Sequence, residues 1–249
     1  MSRLFDAMEK QKKALVAARS LGDSDAIGTA ADPQAKVGTE AQTKMLRLPP
    51  LLIDYSKEFA QEIALLYRSL AVVNQGSPST ILICSPESGA GTTTVALNLA
   101  SHIVTNEGGK ALFIEANFQN PYLARCPGGK RVGFSDLLGE QGSIINYASQ
   151  TSTPGLYVMS AGRASDASNK LVTRSRVGYI LEESKREYPF IIFDGAPIAA
   201  SDTTLELAKV VDGVIMVARA NALADVVGRA KATLESEKVN ILGLVYSDY

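Results

Sequence analysis

Six consecutive residues, Gly89-Ala90-Gly91-Thr92-Thr93-Thr94, have the types and spacing to hold a phosphate group. They lie in the run ILICSPESGAGTTTVALNLA (residues 81–100), where an apolar strand passes into a glycine turn and then into a helix starting near Thr92. Such a loop works through backbone N–H groups at a helix N-terminus, a lysine that reaches the outer phosphates, and a hydroxyl on magnesium. Gly89 and Gly91 permit the tight turn, and Thr93 stands at the magnesium-ligand position. In the pattern G-x-x-x-x-G-K-S/T the lysine falls where this chain has Thr92. Glu87 adds a negative charge that opposes a triphosphate. An ordinary strand-to-helix turn with a threonine N-cap fits the same residues, so the loop alone leaves its chemistry open.

Two further strand ends carry acidic chemistry. PFIIFDGAP (189–197) delivers Asp194 at the carboxyl end of an apolar run, where a carboxylate can hold magnesium through water. ALFIEANFQNP (111–121) ends a strand in Glu115, followed by Ala116 and Asn117. Arg131, Arg163 and Arg219 fall in or near loops on the same predicted edge, where a guanidinium could stand in for the lysine; solvated surface arginine is the alternative for each. His102, the only histidine, sits inside the helix after the loop and reads as helix surface or packing.

Elements that alternate along the chain must bring these groups together. Strands are predicted at 81–84, 111–115, 156–160, 190–194, 213–218 and 241–246, and helices at 92–105, 170–187, 203–210 and 223–237. Short helices are expected near 134–138 and 144–148. Ahead of them YSKEFAQEIALLYRSLAVVN repeats Phe59, Ile63, Leu66, Leu70 and Val73 at helical spacing, an amphipathic helix that should end before Gly76 and Pro78. Alternating strands and helices predict an α/β fold, a doubly wound and mostly parallel sheet with helices on both faces. Right-handed crossovers then place the loops after the strands along one edge. Residues 1–50 read as a tail, with a short helix over 1–19 and a flexible linker from Ser20 to Pro50. Residues 51–249 form the domain.

The bulk properties narrow the function. A chain of 249 residues with 46% hydrophobic content supports one large domain. The net charge of −1 argues against a nucleic-acid partner. Cys84 and Cys126 have no pairing or metal pattern and read as free thiols in a reducing compartment. With no apolar run of bilayer length and no signal-peptide core, a cytoplasmic chain is expected, reaching a membrane only through a partner.

From about Glu58 to Tyr246, roughly three quarters of the chain, the sequence resembles the cytoplasmic bacterial tyrosine kinases of capsule and exopolysaccharide synthesis. These sit in the deviant Walker group that includes the ParA and MinD ATPases. The order of segments matches throughout, including GFSDLLGEQGSIINYASQTSTPGLYVMSAG (133–162), FIIFDGAP and VVDGVIMVARANA (210–222), and these segments point to the polysaccharide branch. The resemblance implies ATP or ADP and magnesium as ligands, with Gly89 to Thr94 on the nucleotide and Thr93 and Asp194 on the metal. It also implies catalytic roles for Glu115 and Asp194. Its D-x-D motif reads Glu115-Ala116-Asn117 here, so one carboxylate is displaced by a methylene and the other is neutral. Its E-x-x-R-x-x-R helix motif, which joins subunits into rings, reads Glu62, Leu65 and Arg68. Leu65 and Tyr67 are expected to form an apolar flank for a second copy or for the cytoplasmic tail of a membrane polysaccharide copolymerase. The tyrosine cluster that serves those kinases as substrate has no counterpart in the closing VYSDY.

Three readings follow. The first is a degenerate kinase relative that supports polysaccharide synthesis or export by interaction, with weak or absent nucleotide binding. The second is a working ATPase or tyrosine autokinase that uses a substitute arginine. The third, a MinD-like positioning ATPase, is opposed by Glu87 at the signature-lysine position and by the expectation of no membrane-targeting C-terminal helix.

Overall fold

Runs of five to seven apolar residues bounded by turns are too short for helices and are buried on both sides, the pattern of strands in a covered parallel sheet. The structure, a computed structural model, describes residues 46, 48, 56–73, 79–123, 126, 127, 130–140, 142–163 and 166–248, all within the unit Thr43–Tyr249. The expected helix over 1–19, nearly all of the linker 20–50, the helix stop at Gly76 and Pro78, and Tyr249 lie outside the described residues.

In chain order the elements are α1 (Lys57–Val73), β1 (Thr80–Cys84), α2 (Thr92–Asn106), β2 (Ala111–Glu115), α3 (Phe134–Gly139), β3 (Ser149–Gln150), β4 (Leu156–Met159), α4 (Asp166–Leu171), α5 (Arg174–Lys185), β5 (Phe190–Asp194), α6 (Asp202–Ala208), β6 (Gly213–Arg219), α7 (Ala224–Ser236) and β7 (Ile241–Ser247). One seven-stranded sheet has the order β3-β4-β2-β5-β1-β6-β7. All pairings are parallel except β3 with β4. The mostly parallel α/β sheet expected from the sequence is therefore the fold. Alternate residues of each strand serve opposite cores. Leu82, Leu112, Ile114, Phe193 and Met216 join one cluster, while Ile81, Ile83, Phe113, Ile192 and Val217 join the other, under α1 and α2.

Three local features differ from expectation. The helix expected over 170–187 is two, because Val172 turns into the core and Thr173 adopts an extended backbone that caps α5, its hydroxyl accepting from the Arg176 N–H. The 144–148 helix is a single 3-10 turn, Ile144–Asn146. The short antiparallel β3 carries no periodic signal. Beside it Leu46, within the span read as linker, is buried, bridges to Thr151 and donates its N–H to the Gln150 carbonyl at 2.9 Å. Among the described residues no helix is long and apolar enough to cross a membrane.

Candidate functional site

β1 lies between β5 and β6, so the loop after β1 opens at the carboxyl edge beside the end of β5. Register places Ile83 opposite Asp194, and Glu115 opposite Asp194 from the other side. Thr93, in the first turn of α2, donates its hydroxyl to Asp194 Oδ2 at 2.6 Å. The structure thus brings Gly89 to Thr94, Asp194 and Glu115 to one edge.

The residue that precedes α2 is Gly91, at φ 83° and ψ 19°, with no side-chain cap. The Thr N-cap that an ordinary turn would use is therefore not formed, and the helix presents its first N–H groups without one. Gly89 is also left-handed, at φ 78°. On the other side of the loop, Arg219 donates from Nε to the Gly89 carbonyl at 3.1 Å and from Nη2 to the Ser88 carbonyl at 3.2 Å. Ser247 donates to the Ala90 carbonyl at 2.6 Å. Sequence reasoning missed Ser247, since only β7 packing beside β6 brings it to the loop.

Asp194 is buried, and its Oδ1 has no hydrogen-bond partner among the described residues. Burial pushes its carboxyl up to about 7; the Thr93 hydrogen bond opposes that rise and the negative charge of Glu115 adds to it. A buried, unpartnered carboxylate oxygen next to a threonine hydroxyl is a donor set that fits magnesium. Gly89 and Gly91 fit phosphate through backbone alone, since Thr92 supplies no charge.

Glu115 is differently employed. It is buried, its Oε1 accepts from the N–H groups of Tyr122 at 2.5 Å and Leu123 at 3.0 Å, and its Oε2 accepts from the Ala161 N–H at 3.0 Å. The side chain ties the loop after β2 to the end of β4. Asn117 accepts from the Asn120 N–H at 3.3 Å, a local turn contact.

The remaining sequence candidates separate. Arg163 pairs with Asp136 at 3.0 Å, Arg219 is engaged with loop carbonyls, and Arg131 is exposed. His102 packs on Tyr67 with ring centroids 5.6 Å apart, and the Asn106 side chain meets its Nδ1 at 3.0 Å. On α1, Glu62, Leu65 and Arg68 are exposed, Leu65 by 61%. Tyr67, expected on the same outer flank, is instead half-buried against the core because its ring reaches back over α2. Cys84 and Cys126 are free and buried, and burial pushes their thiols up to about 12 and about 11.

A mostly parallel sheet with a glycine loop after an interior strand and a carboxylate at the end of the neighbouring strand is the fold of the P-loop nucleoside triphosphatases. Solved structures show the same fold. The kinase domain of the Escherichia coli tyrosine kinase ETK superposes with a TM-score of 0.71 at 22% identity, covering 84% of each chain. The septum site-determining protein MinD complexed with Mg-ADP, from Pyrococcus horikoshii, gives 0.54 at 18% identity over 68% of this chain and 70% of MinD. Among curated proteins, a putative tyrosine-protein kinase EpsB of Ralstonia nicotianae is 26% identical over 171 residues, 67% of this chain and 22% of EpsB. Tyrosine-protein kinase CpsD of Streptococcus agalactiae serotype III is 25% identical over 174 residues, 68% of this chain and 75% of CpsD. No protein-family model matches the chain. In sequence the chain is similar to bacterial tyrosine-protein kinases, with MinD it shares the fold, and it spans about a fifth of the EpsB-type relatives.

Proposed function

We propose that this protein is a tyrosine-kinase-like component of bacterial exopolysaccharide synthesis or export that acts by interaction, without transferring phosphoryl groups to tyrosine. The observation that carries the reading is the state of Glu115. It is the one carboxyl group left in its motif, and both of its oxygens are committed to three backbone N–H groups. Thr92 supplies no cation for the outer phosphates. Phosphoryl transfer depends on charge and positioning, and loss of one such stabilising group costs about 3–4 kcal/mol in a transition state. Two groups are altered together here.

Nucleotide binding is retained in this reading, though weakened. The loop N–H groups and the first turn of α2 would hold phosphate, and Thr93 and Asp194 would hold magnesium. Magnesium, when bound, supplies charge neutralisation to the phosphates. Polysaccharide function rests on the segments shared with the capsule kinases, and the partner that fits them is the cytoplasmic tail of a membrane copolymerase. The exposed flank of α1 around Leu65, with Glu62 and Arg68 beside it, is the surface assigned to that tail or to a second copy.

The test is incubation of the purified protein with ATP and magnesium, with phosphotyrosine detected by antibody and mass spectrometry. No phosphotyrosine is expected. Robust phosphotyrosine that disappears in Asp194→Asn would overturn the proposal.

A further inference from the structure

Three consecutive carbonyls of the phosphate loop, those of Ser88, Gly89 and Ala90, are each bonded by a side chain from the ends of β6 and β7. In a trans peptide the N–H of the next residue points opposite to the carbonyl. Drawing these three carbonyls toward Arg219 and Ser247 therefore turns the N–H groups of Gly89, Ala90 and Gly91 the other way, away from the β6–β7 side. None of those three N–H groups donates to a protein acceptor among the described residues. Successive N–H groups directed to one side form a concavity for an anion. The uncapped N-terminus of the 15-residue α2 adjoins it, and so does the buried, unpartnered Asp194 Oδ1, which calls for a cation. An anion and a cation wanted side by side are the chemistry of a metal-bound phosphate.

The fit between clamp and loop is close. A Cβ on Gly89 would run into the Arg219 guanidinium, so the glycine admits the arginine as well as the left-handed turn. Ser247 is buried, which holds its hydroxyl to the Ala90 carbonyl.

We propose that Arg219 and Ser247 are positioning residues that hold this loop ready for the diphosphate group of a nucleoside diphosphate. The inference rests on the nucleotide-binding reading above and adds to it the residues and the ligand class. Diphosphate is favoured over triphosphate because Thr92 leaves the outer phosphate without a cation and Glu87 repels it. In such a loop the backbone supplies the binding, so its affinity depends on how rigidly the N–H groups are held.

Two measurements on the full chain test this separately. Backbone 15N relaxation without ligand reads the clamp: order parameters at Gly89, Ala90 and Gly91 should be about 0.85 in the wild type and fall below about 0.6 in Arg219→Met/Ser247→Ala. Order parameters in β2 and β5 should not change, and Arg219→Lys, which keeps the charge but lacks the planar guanidinium fork, should restore part of the loss. Unchanged loop order parameters in the double variant would overturn the clamp and leave nucleotide binding standing. Calorimetric titration with ADP, ATP and inorganic pyrophosphate reads the ligand. ADP should bind more tightly than ATP, pyrophosphate should compete, and the double variant should lose about tenfold in ADP affinity. Tighter binding of ATP than ADP would overturn the ligand class. Binding of none of the three by the wild type would overturn the nucleotide reading itself, whatever the relaxation data show.

Discussion

The loops after β1 and β2 each carry an uncharged residue, Thr92 in one and Asn117 in the other, where the motifs they resemble have a charged one, yet their remaining parts are used in opposite ways. The first keeps left-handed glycines, an uncapped helix start and an orphan carboxylate oxygen beside it. Asp194 Oδ1 there has no hydrogen-bond partner among the described residues. The second has turned its carboxylate inward, where three backbone N–H groups satisfy it. In the proposed reading, one loop keeps a binding geometry while the carboxylate of the other serves the scaffold. Stability and ligand binding should separate along that line.

The largest effect is expected at Glu115. Glu115→Ala leaves three N–H groups without their acceptor, at about 1–3 kcal/mol for each one buried, so a total loss of roughly 3–5 kcal/mol is expected in urea unfolding. Glu115→Gln should cost less, because one amide oxygen still accepts. A loss under about 1 kcal/mol in the alanine variant would break the comparison, since the carboxylate would then be no part of the scaffold.

Next comes Asp194, whose buried carboxyl is raised from 3.8 to about 7. A raised acid binds its proton more tightly in the folded state, so the contribution is fully present below pH 3.8 and is lost as pH rises through about 7. Asp194→Asn should flatten that decline and stabilise the protein at pH 8 by about 2–4 kcal/mol, measured as unfolding free energy between pH 4 and 8. An unchanged slope in the variant would show that Asp194 does not carry the pH dependence.

Gly89→Ala should cost about 1–2 kcal/mol from the left-handed backbone, with further strain against Arg219. Repeating the substitution in an Arg219→Ala background separates the two, because only the clash is relieved. A smaller effect on stability is expected from Thr92→Lys, within about 0.5 kcal/mol by thermal unfolding, since the residue is partly exposed at the helix start. The same change should tighten ATP binding by about tenfold in calorimetry while tyrosine phosphorylation stays absent, because Asn117 remains neutral. Phosphorylation restored by Thr92→Lys alone would show that the second loop had kept its chemistry.

Most of the fold was legible because buried parallel strands leave continuous apolar runs: the limits of β2 and β5 are those read from the sequence, and β1 differs by one residue. β3 was not, since two residues have no period and their pairing is decided by β4. The break between α4 and α5 was hidden because Val172 and Thr173 suit a helix flank as well as a core contact and a cap. In the candidate site, the juxtaposition of Thr93 and Asp194 follows from strand order and was expected. The employment of Glu115 was invisible, because its partners are backbone groups at residues 122, 123 and 161, which leave no side-chain signature.

The amino-acid sequence by itself determined the alternation of elements, the phosphate-loop spacing, the absence of its lysine and the likeness to bacterial tyrosine kinases. These depend on residue types at near positions along the chain. Only the tertiary structure decided that Arg219 and Ser247 bond the loop carbonyls, that Tyr67 lies against His102 while Leu65 stays exposed, and that Glu115 accepts from backbone N–H groups while Asp194 Oδ1 has no partner among the described residues. Each joins groups far apart in sequence, and whether a buried polar atom meets a partner is settled by packing across strands.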